Sequence, residues 1–195
     1  MKSLSDKIIL IIIFSGIFFT RCGNYKGIVE KKSFNYTDET TVPVYNKTDT
    51  FEKYKKSGIL KTEVEDFKGA VEDMTIALNL NPEVVSLYFY RGHSNYKLNR
   101  YNEAISDFTK AIERQPNGIY YNSRGIAKDA SGDYYGALKD FNKAIEMVPG
   151  DAEFYYYRGI TKRHLNDKKG ACLDWKISDE SGYDDALEQL NKYCK

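Results

Sequence analysis

Few residues of this chain have side chains and spacings that could support catalysis. Its only histidines are His93 and His164, and each falls in the first helix of one copy of a sequence repeat described below. A surface or groove position explains such histidines more simply than a catalytic role. The sequence also has no GxSxG, phosphate-loop, HExxH or paired CxxC motif. We therefore predict that the chain is not an enzyme and has no catalytic residue and no cofactor.

Two cysteines near the C-terminus, Cys172 and Cys194, could form a disulfide. They lie 11 residues on either side of Tyr183, and Ser181-Gly182 marks a turn between two antiparallel helices, so the thiols would face each other. In an oxidising compartment a bridge closing this loop would stabilise the fold by about 3 kcal/mol. The alternative is a pair of buried free thiols that pack as small apolar groups. Two thiols without a nearby third ligand do not make a zinc site, so we predict no metal.

Two series of charged residues recur with the spacing of the repeat. One is Arg91, Arg124 and Arg158, and the other is Asp73, Asp107, Asp140 and Asp174. Carboxylates that recur in every copy do not converge on one pocket, which argues against a catalytic use. We predict instead that the two series pair within a repeat or between neighbouring repeats.

The elements that must position these residues come from a repeat of 33 or 34 residues. Four copies begin near Phe51, Val85, Gly118 and Ala152. Several aligned columns keep their residue type in every copy. They hold glycine (Gly58, Gly92, Gly125, Gly159), alanine (Ala70, Ala104, Ala137, Ala171) and a bulky residue (Met74, Phe108, Phe141, Trp175), and prolines close the first three copies (Pro82, Pro116, Pro149).

Each copy is predicted to form two amphipathic helices. In the second copy, apolar residues recur at helical spacing from Tyr88 to Tyr96 and again from Ala104 to Ile112. The small residues Gly92 and Ala104 would let the two helices approach closely, and the closing proline would end the second helix. One hairpin of this size cannot bury its apolar face alone, so neighbouring copies must stack.

The four copies resemble the tetratricopeptide repeat from about Phe51 to Ser178. The second and third copies, YFYRGHSNYKLNRYNEAISDFTKAIERQP and YNSRGIAKDASGDYYGALKDFNKAIEMVP, are close to the family pattern. The first copy departs from it at Ser57 and Lys61, and the fourth departs at Lys168, as expected of terminal repeats. The resemblance implies an all-α, right-handed superhelical solenoid of four helical hairpins. We expect repeats at residues 51–84 (degenerate), 85–117, 118–151 and 152–181 (degenerate).

A capping helix is expected at residues 182–195. It would place Ala186, Leu187, Leu190 and Tyr193 on one apolar face and charged residues on the other. The stretch GACLDWKISDESGYDDALEQLNKYC is similar to the terminal segment of exported tetratricopeptide-repeat proteins of the Bacteroidetes. That similarity points to a bacterial source.

The N-terminus has the features of a targeting segment. An apolar run from Ile8 to Phe19 follows two lysines; it suits the core of a signal peptide but is shorter than the ~20 residues that span a bilayer. We interpret residues 1–22 as a signal peptide or membrane anchor and residues 23–50 as a flexible polar linker. This interpretation places the repeats outside the cytoplasm, in the periplasm or anchored to a membrane of the bacterial cell envelope.

Cys22 stands where a bacterial lipoprotein signal has its lipid-modified cysteine. Arg21 departs from such signals, which have a small residue at that position. The alternatives to lipidation of Cys22 are cleavage nearby by ordinary signal peptidase and an uncleaved anchor.

The balance of charge argues against nucleic acid as a partner. The 29 basic and 28 acidic residues are interspersed and give a net charge of +1, so there is no basic patch to attract a phosphate backbone. We expect another protein or a peptide as the partner, and contact with a membrane only through the N-terminal anchor.

The resemblance implies a concave groove lined by the first helix of each hairpin. The candidate groove residues are Phe89, His93, Tyr96, Asn122, Ile126, Asp129, Tyr156, Ile160 and Arg163. This mixed aromatic surface suits an extended peptide or a helix, and we expect alanine at both Phe89 and Tyr96 to weaken binding without lowering the thermal midpoint. The alternative for each residue is a contact with a neighbouring repeat. As a whole the chain is predicted to be an adaptor or scaffold, or else an assembly module that self-associates through its repeats.

Overall fold

A computed structural model describes residues 46–195. The signal peptide or anchor predicted at residues 1–22, the candidate lipidation site Cys22 and the linker up to residue 45 lie outside the described residues. The end of the predicted linker is helical instead, because α1 begins at Lys47. The Asn46 side chain accepts a hydrogen bond of 3.1 Å from the backbone N–H of Thr48 and caps that helix.

The described residues form four helical hairpins and a final helix, with no strand. The hairpins are α1 with α2, α3 with α4, α5 with α6, and α7 with α8. Their bounds are α1 Lys47–Glu63, α2 Phe67–Leu80, α3 Val85–Lys97, α4 Tyr101–Arg114, α5 Gly118–Ala130, α6 Tyr134–Met147, α7 Ala152–His164, α8 Lys168–Glu180 and α9 Asp185–Tyr193. None of these helices is both long and apolar enough to cross a membrane.

The turn within each hairpin contains one residue in the left-handed backbone region. These residues are Glu65, Asn99, Gly132 and Asn166, and Gly182 has the same conformation before α9. A single left-handed residue after a helix is a common way to reverse the chain. In three hairpins an aspartate then caps the second helix by accepting a hydrogen bond from a glycine N–H: Asp66 from Gly69 (3.0 Å), Asp133 from Gly136 (2.9 Å) and Asp167 from Gly170 (2.9 Å).

The core of each hairpin is the predicted contact between the column glycine and the bulky residue of the second helix. A Cβ atom added to Gly92 would lie 2.8 Å from Phe108 Cε1, and one added to Gly159 would lie 2.6 Å from Trp175 Nε1. Phe108 and Trp175 are buried. A larger residue in the glycine column would therefore force the two helices apart.

The predicted pairing of the arginine and aspartate series is confirmed. Each arginine donates from Nε and Nη2 to the aspartate 16 residues later in its own hairpin: Arg91 to Asp107 (2.9 and 2.6 Å), Arg124 to Asp140 (2.8 and 2.7 Å) and Arg158 to Asp174 (2.9 and 2.7 Å). The Nη1 atoms donate to the preceding repeat, at Thr75, Thr109 and Asn142. These charges therefore join the helices of one repeat and also link it to its neighbour.

The final helix, α9, covers the end of the fourth hairpin. Ala186 is fully buried, and Leu190 and Tyr193 pack against Trp175. Leu187, which was predicted on the buried face, is 52% exposed instead. Ala186, Leu190 and Tyr193 follow at steps of four and three residues and share one face of the helix, whereas Leu187 lies about 100° around the axis from Ala186.

A disulfide joins α8 to the end of α9. The sulfur atoms of Cys172 and Cys194 are 2.01 Å apart, and their Cα atoms are 5.7 Å apart. The bridge closes a loop of about 22 residues, which corresponds to roughly 3 kcal/mol of stabilisation in the chain-entropy model.

Candidate functional site: a groove between three first helices

The candidate site is a groove of about 440 Å³ between the first helices of the second, third and fourth hairpins. Most of its lining comes from α3, α5 and α7. The lining residues are Phe89, His93, Tyr96, Lys97, Phe108, Ile119, Asn122, Ser123, Ile126, Asp151, Glu153, Phe154 and Tyr157. The groove is therefore mixed, with aromatic and aliphatic walls and a few polar groups.

Five of the nine residues predicted from the sequence line this groove: Phe89, His93, Tyr96, Asn122 and Ile126. Phe89 also packs between repeats, because its ring centroid lies 5.1 Å from that of Tyr120 on α5 and 6.0 Å from that of Phe108. Phe89 therefore lines the groove and also contacts a neighbouring repeat.

Asp129 lies outside the groove lining. Its Oδ1 accepts a hydrogen bond of 2.7 Å from Thr161 Oγ1 and lies 3.1 Å from His164 Nδ1. Asp129 is therefore a link between the third and fourth repeats, which was the alternative considered for it.

The other three predicted groove residues, Tyr156, Ile160 and Arg163, are not among the residues that line this groove. Tyr156 and Ile160 pack against the cluster of Ala171, Trp175 and Ala186. The Arg163 guanidinium lies 4.7 Å from the ring centroid of Tyr193. The physical reason is α9, which packs mainly on α8 and brings Ala186 and Tyr193 against these side chains.

The polar centre of the groove is the pair Asn122 and Glu153. Asn122 is only 3% exposed, and its Nδ2 donates a hydrogen bond of 3.1 Å to Glu153 Oε1. Its Oδ1 is buried and accepts no hydrogen bond from residues 46–195. A buried acceptor without a partner costs about 1–3 kcal/mol, so this oxygen is a place where a donor from another molecule would be favourable.

Burial perturbs the titrating groups of the groove. It raises the pKa of Glu153, and the nearby Asp151 carboxylate raises it further, against the opposing hydrogen bond from Asn122. Burial also lowers the pKa of His93, assisted by Lys97. His93 is therefore neutral at physiological pH, and its contribution to the groove is hydrogen bonding and ring contact.

The tyrosines of the groove stay protonated as well. Burial raises the pKa values of Tyr96 and Tyr157 above the ordinary value for a phenol. Their hydroxyl groups can thus donate hydrogen bonds throughout the physiological pH range.

Within residues 46–195, no three His, Cys, Asp or Glu side chains are grouped in a way that would hold a metal ion. The arrangement as described is suited to binding.

Sequence reasoning missed Ile119, Glu153 and Tyr157 as groove residues. Ile119 and Glu153 each stand three residues before a predicted stripe position, Asn122 and Tyr156. Extending the stripe by one helical turn toward the N-terminus would have found both. Tyr157 stands four residues after Glu153, so the same extension continued along the helix would have reached it as well.

Comparison with known families identifies the repeats. A family model described as tetratricopeptide repeat matches residues 85–117, and a second model with the same description matches residues 122–175. These segments are tetratricopeptide repeats. Together with the geometry, this makes the described part of the chain an all-α tetratricopeptide-repeat solenoid of four hairpins and a capping helix.

Two curated proteins share limited sequence with the chain. It is 28% identical over 141 residues to human tetratricopeptide repeat protein 13, covering 71% of this chain and 16% of that protein. It is 32% identical over 91 residues to the SGT1 protein homolog of Oryza sativa subsp. japonica, covering 46% of this chain and 25% of that one. The chain thus spans a quarter or less of the length of these relatives.

Solved structures share the fold at low sequence identity. The crystal structure of MamA has a TM-score of 0.64 at 21% identity and covers 73% of this chain and 81% of its own. YrrB, described as a TPR protein with an unusual peptide-binding site, has a TM-score of 0.60 at 20% identity, covering 72% and 78%. The first TPR of Spaghetti (RPAP3), bound to the HSP90 peptide SRMEEVD, has a TM-score of 0.54 at 23% identity, covering 56% and 90%.

Proposed function

We propose that the solenoid is a protein-interaction module that binds an extended peptide segment of another protein in the groove. The observation that carries this proposal is Asn122, a groove residue 3% exposed whose buried Oδ1 has no hydrogen-bond donor from the described residues and meets one from the groove when the side chain rotates. An extended peptide presents backbone N–H groups along its whole length, so it supplies the missing donor.

The walls of the groove fit the side chains of such a peptide. Ile119 is 52% exposed on one wall, and Ile126 and Tyr157 add further apolar surface. Apolar side chains of the peptide would be removed from water there, at about 25 cal/mol per Å² of area. Rigid aromatic residues supply contact area at a small cost in side-chain entropy.

The charged residues favour one orientation of the peptide. Lys97 lies on the α3 side of the groove, and Asp151 and Glu153 lie on the α7 side. A peptide with an acidic side chain near α3 and a basic one near α7 would pair with both. A cation beside Glu153 would also offset the burial that raises the pKa of this carboxyl group.

Structural neighbours support the proposal by analogy. The solved TPR structures include YrrB with its peptide-binding site and the first TPR of RPAP3 with the HSP90 peptide. At identities of 20% and 23% these likenesses concern the fold, so the residues that would hold a peptide are argued from this chain alone.

For the cellular role, we propose an adaptor or scaffold of the bacterial cell envelope, of the exported type found in Bacteroidetes. Two features support this location. The apolar run from Ile8 to Phe19 is typical of an export signal, and the Cys172–Cys194 disulfide is a bond that persists in oxidising compartments.

Selection of a peptide and two matched variants test the proposed groove. A phage-displayed library of random peptides is selected on the full chain, and the affinity of a selected peptide is measured by fluorescence anisotropy. Ile119→Ser in the groove should weaken binding about tenfold, since burying one such side chain is worth about 1.5–3 kcal/mol. Leu173→Ser on α8 is the control, because Leu173 is 56% exposed and does not line the groove.

Equal affinity of the Ile119→Ser and wild-type chains would reject the groove as the binding surface. The competing function, self-association through the repeats, predicts a different result. Light scattering would then show an oligomer that grows with concentration and that the same Ile119→Ser change disperses.

A further inference from the structure

A second pocket, separate from the groove, lies where the fourth hairpin meets the capping helix. It has a volume of about 360 Å³ and is lined by Arg163, Asn166, Lys168, Lys192 and the rings of Trp175 and Tyr193, with Ala171. No residue lines both this pocket and the groove. Its charged lining residues are three cations, while the whole chain has a net charge of only +1.

The cations of this pocket have no acidic partner among residues 46–195. In that part of the chain, no carboxylate oxygen lies within 4.0 Å of a side-chain nitrogen of Arg163, Lys168 or Lys192. Three cations around one pocket without a paired carboxylate leave a local excess of positive charge. This differs from the repeat arginines, which all bind an aspartate of their own hairpin.

Arg163 is held in place but is not satisfied. Its guanidinium lies 4.7 Å from the ring centroid of Tyr193, and its Nη1 donates a hydrogen bond of 3.3 Å to the Tyr193 hydroxyl. Its Nε atom is buried and finds no acceptor in the described part of the chain. The ring thus orients the guanidinium, whose Nη2 lies 3.5 Å from His164 Nε2, and one N–H on each Nη atom is left for an acceptor from outside the fold.

We propose that this pocket binds a phosphate monoester. A phosphate carries a charge of about −1.5 to −2 and offers three acceptor oxygens, which matches one guanidinium and two ammonium groups that have no carboxylate partner among residues 46–195. A single carboxylate would leave most of the positive charge uncompensated. Arginine is also the side chain whose donor geometry best fits phosphate oxygens.

An NMR titration of the full chain tests the site. Inorganic phosphate and glycerol 3-phosphate are added at constant ionic strength, with sodium chloride as the reference, and the Arg163 Nε–H resonance is followed. Both phosphates should shift that resonance in a saturable way. The fluorescence of Trp175, the only tryptophan of the chain, gives a second local readout.

Three variants assign the effect to the pocket. Arg163→Met keeps an apolar side chain against Tyr193 and should weaken binding by about tenfold or more, as expected for loss of a charge-assisted hydrogen bond. Lys168→Met, at the exposed start of α8, should weaken it several-fold without affecting folding. Lys176→Met removes a cation of the same helix that does not line the pocket and should leave the affinity unchanged.

Vesicles containing phosphatidic acid identify the source of the phosphate. If the wild-type chain sediments with these vesicles and the Lys168→Met chain does not, the ligand is a lipid headgroup. If neither chain sediments but phosphate shifts the Arg163 Nε–H resonance in a saturable way, the ligand is a soluble ester. The proposal is overturned if phosphate causes no more shift than chloride, or if the Arg163→Met and Lys168→Met chains bind phosphate as tightly as the wild type does.

Discussion

Removing the Asp140 carboxylate should strongly destabilise the solenoid. Asp140 is 3% exposed and accepts hydrogen bonds from Arg124 Nε (2.8 Å) and Nη2 (2.7 Å), and the Lys128 ammonium lies 2.8 Å from its Oδ2. The hydrogen bonds that Arg124 donates to Asp140 also raise the pKa of the guanidinium, against the effect of burial. Asp140 therefore neutralises and holds the Arg124 guanidinium inside the hairpin.

The expected cost follows from what Asp140→Ala leaves behind. The Arg124 side chain is only 16% exposed, so it would keep a largely buried charge with no carboxylate beside it. Breaking such a pair costs about 3–5 kcal/mol. A domain of this size is stable by about 5–15 kcal/mol, so the urea midpoint should fall by a large fraction.

Urea unfolding followed by circular dichroism measures this cost, with two controls. Glu146→Ala removes an exposed ion pair with Lys143 on the same helix and should cost at most about 1 kcal/mol. The double variant Arg124→Met/Asp140→Ala should be more stable than the sum of the single changes predicts, by about 0.5–3 kcal/mol. The reasoning is refuted if Asp140→Ala costs no more than Glu146→Ala, or if the two single changes are additive.

Three further predictions concern packing, the cap and pH. Gly125→Ala places a Cβ atom 2.8 Å from a ring carbon of Phe141 and should lower the free energy of unfolding in urea by about 1–3 kcal/mol. The control Gly150→Ala, whose Cβ meets nothing within 4 Å, should be near neutral. Equal effects of the two changes would contradict the packing argument. Reduction of the Cys172–Cys194 bridge should lower stability by about 3 kcal/mol, and an unchanged thermal midpoint would show that α9 does not depend on it. Burial raises the pKa of Glu153 in the folded chain. Between its pKa in the unfolded chain and this higher pKa, the folded state keeps a proton that the unfolded state releases, so the free energy of unfolding falls as pH rises through that interval. Glu153→Gln should therefore raise the urea midpoint at neutral pH but not below pH about 4, and an equal gain at both would count against the assignment.

The repeat architecture could be predicted from the sequence because its signals recur. Four glycines opposite four bulky residues, at one spacing, define a helix contact that a single copy would not reveal. The same recurrence predicted that the arginine and aspartate series pair within or between repeats, and Arg124 with Asp140 is one such pair. The first copy has serine in the arginine column, and there Ser57 donates to Asp73. Lys61 pairs with Asp73 as Lys128 and Lys162 pair with the aspartates of their own copies.

The groove was harder to predict because it depends on how the ends of the solenoid are closed. The helical stripe in the second and third copies reached the groove, at Phe89 and Asn122 for example. The same stripe in the fourth copy leads to Tyr156, which α9 covers. Nothing in the periodicity of one helix reports whether another helix packs on it.

The packing of Phe89 also changes an expectation drawn from the sequence. Its ring contacts Phe108 and Tyr120, so alanine at Phe89 and Tyr96 would lower the thermal midpoint as well as weaken binding. Ile119 is the better probe of the groove, because it is half exposed and its removal leaves no cavity.

The most direct test of peptide binding in the groove is a crystal structure of the chain with a selected peptide. The account predicts an extended peptide between α3, α5 and α7, with a backbone N–H of the peptide about 2.9 Å from Asn122 Oδ1. A peptide bound elsewhere on the solenoid, with that oxygen still lacking a donor, would contradict it.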